Sequence, residues 1–205
     1  MHCVTATTST GRALRARGTS TCAMRSDALR TLLLAGALLL AVPAMATDLH
    51  AQVSASLMRP EQRSLRPMQW PAPPKLVALY FGADWCGPCH AFVPTLRSVR
   101  DALREAGADT EVVYVSLDES EAALRRYMHA QAMPWPVLDP HRARRMPALQ
   151  ALAGLGPPNL VLIDADGNVL ANGWQGRRYE GLQPVLKAWT TQACAQQQAH
   201  CPPDL

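Results

Sequence analysis

A compact apolar run in "KLVALYFGA" passes directly into "DWCGPCHAF" and then into a stretch where Phe92, Leu96, Val99 and Leu103 recur at helical spacing. The run of β-branched, aromatic and aliphatic residues predicts a buried strand, and the following period predicts a helix. The two cysteines therefore stand on the turn between them. A strand of this kind is stable only inside a sheet covered on both faces, which makes the chain α/β.

The rest of the sequence extends that pattern. "EVVYVSLD" reads as a second buried strand, and Glu119 to Gln131 as a helix with Asp118 as its cap. "HRARRMPALQALAGLG" reads as a short helix. "NLVLIDADGNVLANG" contains two strand runs joined by Asp166-Gly167, a strong hairpin signal. Tyr179 to Ala193 reads as an amphipathic helix with Leu182, Val185, Leu186 and Trp189 turned inward. Strand–helix alternation followed by a hairpin implies a central mixed sheet, parallel first and antiparallel at its end. Asp164, Asp166 and Asn168 belong to the hairpin turn, since no distal bidentate acid completes a calcium loop.

The compartment decides how a cysteine pair is read. From Met24 the chain has a basic start at Arg25 and Arg30, an apolar core from Thr31 to Val42, and Ala44-Met45-Ala46 as an A-x-A site. This is the pattern of a secretory signal peptide cleaved after Ala46, with an apolar core shorter than the ~20 residues that span a bilayer. Residues 1–46 are thus expected to be leader and signal peptide, with Met24 as the candidate true start. Residues 47–74, polar and ending in "RPMQWPAPP", read as a linker or N-terminal arm. Residues 75–192 form one domain and 193–205 a cysteine-containing tail. A periplasmic or secreted location follows.

The whole chain carries a formal charge of +4. Losing residues 1–46 removes five arginines and one aspartate and leaves the remainder formally neutral. Nothing in that balance favours nucleic acid or anionic lipid as a partner, and stable membrane insertion after cleavage is not expected. Arg142, Arg144 and Arg145 form a local basic cluster, read as a solvated face with partner docking as the alternative. Without Cys3 and Cys22 the cysteines are Cys86, Cys89, Cys194 and Cys201.

Cys86, at the mouth of a helix, meets unpaired amides and the positive end of the helix dipole, which favour its thiolate. Cys89, one turn on, is placed to attack a mixed disulfide formed at Cys86. Gly87 eases entry to the turn, and Pro88 is tolerated in a first turn where its missing amide costs little. Pro94, deeper in the helix, should remove one hydrogen bond. A zinc site with Cys194 and Cys201 suits this strand-to-helix setting poorly. A permanent staple closing so small a loop would constrain little chain entropy. Redox exchange is the favoured reading, with no metal. Cys194 and Cys201 are the candidate structural disulfide in an oxidising compartment, with a second relay or free thiols as alternatives.

"WCGPC" resembles the active-site sequence of the thioredoxin superfamily, and Pro94, five residues after Cys89, matches that family's helix-kinking proline. From about Lys75 to Thr191 the chain is similar to the tryparedoxin and nucleoredoxin-like branch through "YFGADWC", "VSLDE", "MPW" and "PNLVLIDADG". The resemblance implies a thioredoxin-like fold, a cis-proline at Pro158 presenting backbone to clients, and a shielding, client-contacting role for Trp85. Pro157 beside it is unusual. Thioredoxins keep a buried acid where Tyr80 stands, so Tyr80, Asp84 and His90 become the candidates for handling the proton of Cys89. The implied function is that of an exported thiol-disulfide oxidoreductase without prosthetic group. It would act on disulfide-containing client proteins and be recharged by a membrane or periplasmic thiol electron donor. The Gly-Pro dipeptide resembles the reducing members. A disulfide oxidase running the opposite way and a non-catalytic, client-binding adaptor or chaperone-like module are the alternatives.

Overall fold

In the computed structural model, residues 48–197 are described. They contain α1 (Leu49–Ser54), β1 (Leu57–Pro60), β2 (Leu65–Pro67), β3 (Leu76–Gly82), α2 (Gly87–Glu105), β4 (Thr110–Ser116) and α3 (Glu121–Ala130). There follow β5 (Val137–Leu138), α4 (Pro140–Ala143), α5 (Pro147–Leu152), β6 (Asn159–Asp164), β7 (Val169–Asn172), β8 (Trp174–Gln175), β9 (Arg178–Tyr179) and α6 (Gln183–Gln197). The signal peptide expected before residue 47, and Cys201, lie outside the described residues. Among the described residues no helix is long and apolar enough to cross a membrane.

β3 is the apolar run at the centre of a seven-stranded mixed sheet ordered β2-β1-β5-β4-β3-β6-β7. It pairs parallel with β4 from Leu76–Thr110 to Gly82–Ser116, and antiparallel with β6 from Leu76–Asp164 to Phe81–Asn159. All seven of its residues are buried, because helices cover both faces. Leu76, Ala78 and Tyr80 face a core shared with α2, α3 and α6, whereas Val77, Leu79 and Phe81 face one shared with α1, α4 and α5. The two-residue period of a strand sorts the apolar run into two layers.

Local signals explain most elements. Cys86 caps α2 and Pro88 occupies its first turn; the helix continues through Pro94 to Glu105. Ser120 caps α3, its side chain accepting from Ala123 N at 3.2 Å. The β6–β7 hairpin forms at Asp166-Gly167 as expected. The Asp164 carboxylate accepts from Asp166 N and Asn168 N, and Gly167 adopts φ +79°, a left-handed conformation that glycine takes without steric cost.

Four expectations are corrected. The stretch expected as a linker or arm, 47–74, contributes α1, β1 and β2 from Leu49 onward. β1 joins the sheet by antiparallel pairing of Leu57 with Leu138 and Met58 with Val137, and Leu49, Val53 and Leu57 are buried. Two of its five prolines, Pro60 and Pro67, sit at strand ends, where a missing amide is tolerated, and Pro71, Pro73 and Pro74 lie in the segment between β2 and β3. Asp118 is not the cap of α3, which begins two residues later than expected. The single helix expected after Asp139 is two, α4 and α5, because Pro147 opens a new first turn at N1. The closing helix starts at Gln183 rather than Tyr179, which belongs to β9, and runs past residue 192, so Ala193 and Cys194 are helical.

Candidate active site

The turn Ala83–Cys89 sits at the C-terminal end of β3, and its sulfurs are joined: Cys86 and Cys89 form a disulfide with Cα atoms 5.2 Å apart. Cys86 Sγ accepts from Cys89 N at 3.2 Å, so the sulfur itself serves as the N-cap of α2. Such an amide donor and the helix dipole both favour negative charge at Cys86 when the pair is reduced. Cys89 is fully buried and Cys86 nearly so, while Trp85 beside them is 64% exposed. Gly87 has open space around its α-carbon, and Pro88 forfeits an amide that has no helical partner there.

Side chains on one face of the sheet hold this turn at three points. Tyr80 donates to the Cys89 carbonyl at 3.3 Å and lies 2.9 Å from Tyr127 Oη, whose hydroxyl completes the chain as donor. Tyr114 Oη is 3.1 Å from both the Gly82 carbonyl and Asp118 Oδ2. Asp118, buried rather than capping, accepts from Asp84 N at 2.9 Å and Ser116 Oγ at 3.0 Å. Burial raises the pKa of all three phenols: Tyr127 is pushed up to about 12, and Tyr80 and Tyr114 further. Tyr80 is therefore a hydrogen-bond donor here and not a base.

The other two proton-handling candidates are also engaged. The Asp84 carboxylate is paired with Arg126, whose Nε lies at 2.9 Å. His90 lies between the Asp84 carbonyl (Nε2, 2.7 Å) and the Gln131 amide nitrogen (Nδ1, 2.9 Å), with Tyr127 against its ring. A carbonyl can only accept and an amide NH2 can only donate, which assigns the proton to Nε2. Among the described residues no hydrogen bond joins Tyr80, Asp84 or His90 to Cys89 Sγ. His90, expected either to serve Cys89 or to face solvent, instead fastens α2 to the turn and to the residue after α3.

The Pro157–Pro158 peptide is cis. Continuing the β3–β6 register one step beyond Phe81–Asn159 sets Pro158 beside Gly82, at the same end of the sheet as the disulfide. A separate hairpin, β8–β9, supports this loop: Trp174 Nε1 donates to Gly156 O at 3.2 Å and the Tyr179 hydroxyl to Pro158 O at 3.0 Å. Gly154, at φ +72°, leaves room for the indole, since a Cβ there would lie 2.2 Å from Trp174 Cδ1. Tyr114, Asp118, Arg126, Tyr127, Gln131, Trp174 and Tyr179 were not legible as site residues. Their relation to the turn arises from strand and helix packing rather than from spacing. Arg142 and Arg144 stand apart from this end, Arg142 donating to Ala55 O and Arg144 lying near His141. Trp135 and Trp189 are core residues.

A family model described as Thioredoxin-like matches residues 74–169. Nucleoredoxin of Mus musculus is 35% identical over 104 residues, which is 49% of this chain and 22% of that protein. The chain thus spans about a fifth of the length of the curated nucleoredoxin it matches. Among solved structures, tryparedoxin II from C. fasciculata is 30% identical, with 58% of this chain and 80% of that one covered and a TM-score of 0.46. Tryparedoxin I from Leishmania major is 23% identical, covering 73% of this chain and 94% of that one at a TM-score of 0.49. The matched segment holds the Cys86–Cys89 turn, cis-Pro158 and the strands that carry them, and the chain belongs to the thioredoxin superfamily, with nucleoredoxin-like sequence similarity.

Proposed function

We propose that this protein is an exported thiol-disulfide oxidoreductase that reduces or exchanges disulfides of client proteins through Cys86 and Cys89. The observation that carries the reading is the paired sulfurs at the mouth of α2, with Cys86 Sγ receiving the Cys89 amide. The Cys86 thiolate attacks one sulfur of a client disulfide, forming a mixed disulfide and releasing the other client sulfur as a thiolate that takes a proton from water. Cys89, as its thiolate, then attacks Cys86 Sγ, expelling the second client sulfur and closing the Cys86–Cys89 bond. Two electrons have passed to the client, and a thiol donor must return them. Trp85 and the loop at Pro158 form the client-facing rim, and no metal or prosthetic group takes part.

Export rests on the leader sequence, and the reducing direction on Gly87-Pro88. Reduction of insulin with dithiothreitol as donor tests the activity: wild type is expected to accelerate precipitation and Cys86→Ser to abolish the acceleration. Equal rates would leave only a client-binding adaptor. Equilibration with glutathione tests direction, because a potential near about −270 mV fits a reductase and one near about −120 mV an oxidase.

A further inference from the structure

We propose that the groove between the β1–β2 hairpin and α3 docks acidic, extended segments of client proteins while their disulfide meets Cys86. The proposal rests on the oxidoreductase reading for its consequence, though not for the binding itself.

The groove is open and measures ≈ 1330 Å³, with the hairpin turn Pro60–Ser64 as one wall, α3 as the other, and Met128 and Met133 among its lining. Arg63, Arg66, Arg125 and Arg126 line it with one carboxylate, Glu61, in the lining itself, while Glu121 pairs with Arg125 at 3.4 Å and Asp84 with Arg126 from outside it. A chain that is formally neutral after Ala46 thus gathers four guanidinium groups in one concavity, three of them paired with acids and Arg63 left in excess. Arg63 has no ion-pair partner among the described residues. Arg66 pairs with Glu61 at 3.1 Å, but both side chains are more than half exposed, so a client carboxylate can replace Glu61 at little cost. Arg125 donates to the Gln62 carbonyl at 2.9 Å and ties the two walls together, so the groove exists before a client arrives.

Its position gives the groove a purpose. Arg126 lines it and also pairs with Asp84, the residue before Trp85, so one side chain links the groove wall to the reactive turn. No Phe, Tyr or Trp lines it, which disfavours single-stranded nucleic acid, whose bases need stacking platforms. An acidic polypeptide segment satisfies both the arginine side chains and the partly apolar lining.

The test uses two synthetic peptides with the same central intramolecular disulfide, flanked by glutamates in one and glutamines in the other. Wild type is expected to reduce the acidic peptide with a kcat/KM about 10-fold higher at low ionic strength, an advantage that disappears at high salt. The Arg63→Glu/Arg66→Glu variant is expected to lose or reverse the preference while reducing the small neutral hydroxyethyl disulfide as wild type does. Equal kcat/KM for both peptides, or a preference insensitive to salt, would overturn the docking site and leave the oxidoreductase reading standing. Failure to reduce even the small disulfide would remove that reading instead. Anisotropy with a labelled, disulfide-free acidic peptide then decides the groove alone, with salt-sensitive binding supporting it. Tighter binding of a labelled single-stranded oligonucleotide than of this peptide would overturn it.

Discussion

On one face of β3, Val77, Leu79 and Phe81 belong to a cluster without a buried tyrosine; on the other, Leu76 and Ala78 share their layer with Tyr80, and Tyr114 and Tyr127 bring two more hydroxyls. The strand and its period are the same, yet the two faces do different things. The first is held by area and close packing, which are not directional. The second buries polar groups that must be satisfied, and the partners they find are the Gly82 carbonyl, the Cys89 carbonyl and the carboxylate that holds Asp84 N. Support for the fold and placement of the reactive turn are thereby divided between two layers of one sheet.

That division can be broken experimentally. The largest effect is expected from Phe81→Ala, which empties part of the hydrocarbon layer and should cost about 3–5 kcal/mol in chemical denaturation. The Cys86–Cys89 potential of the folded variant should stay where it was, and a large change in potential would show that the faces are not separable. Tyr80→Phe should cost less, about 1–2 kcal/mol, by removing the donor to the Cys89 carbonyl and the acceptor for Tyr127. Here, however, the potential or the Cys86 titration should move as well; a variant altered in stability alone would assign Tyr80 to packing.

The smallest effect concerns alkaline pH. Tyr127 is raised in the fold from its ordinary 10.0 to about 12, so its contribution is fully present below pH 10 and is lost as pH rises towards 12, where the unfolded chain releases the proton first. Unfolding midpoints should be flat in this contribution up to pH 10 and then fall, and Tyr127→Phe should fall less steeply. An identical alkaline slope in wild type and variant would contradict the buried hydroxyl network.

Legibility followed the range of the interactions. The β3–turn–α2 unit, β4 and the Asp166-Gly167 hairpin were readable because residues within a few positions carry period, cap and turn chemistry. The position of Pro158 was readable by resemblance. β1 was not: Leu57 and Met58 are too few to show a period, and they become a strand by pairing with Leu138 and Val137, some eighty residues on. Asp118 looked like a cap because it precedes a helix, but Ser120 stands closer to the first turn and took that place. The carboxylate was left to serve Asp84, Tyr114 and Ser116. Asp84 and His90 were singled out correctly as neighbours of the cysteines, while their partners Arg126 and Gln131 come from α3 and just beyond it.

The order of residues by itself determined that two sulfurs lie one helical turn apart at the end of a buried strand, because backbone period and turn chemistry act over a few bonds. Only the tertiary structure decided which side chains hold that turn, that Tyr80 is a donor and not a base, and that a proline-rich stretch ahead of the domain builds one wall of a basic groove. Those outcomes depend on desolvation and on pairing between distant segments, and both exist only once the layers have closed.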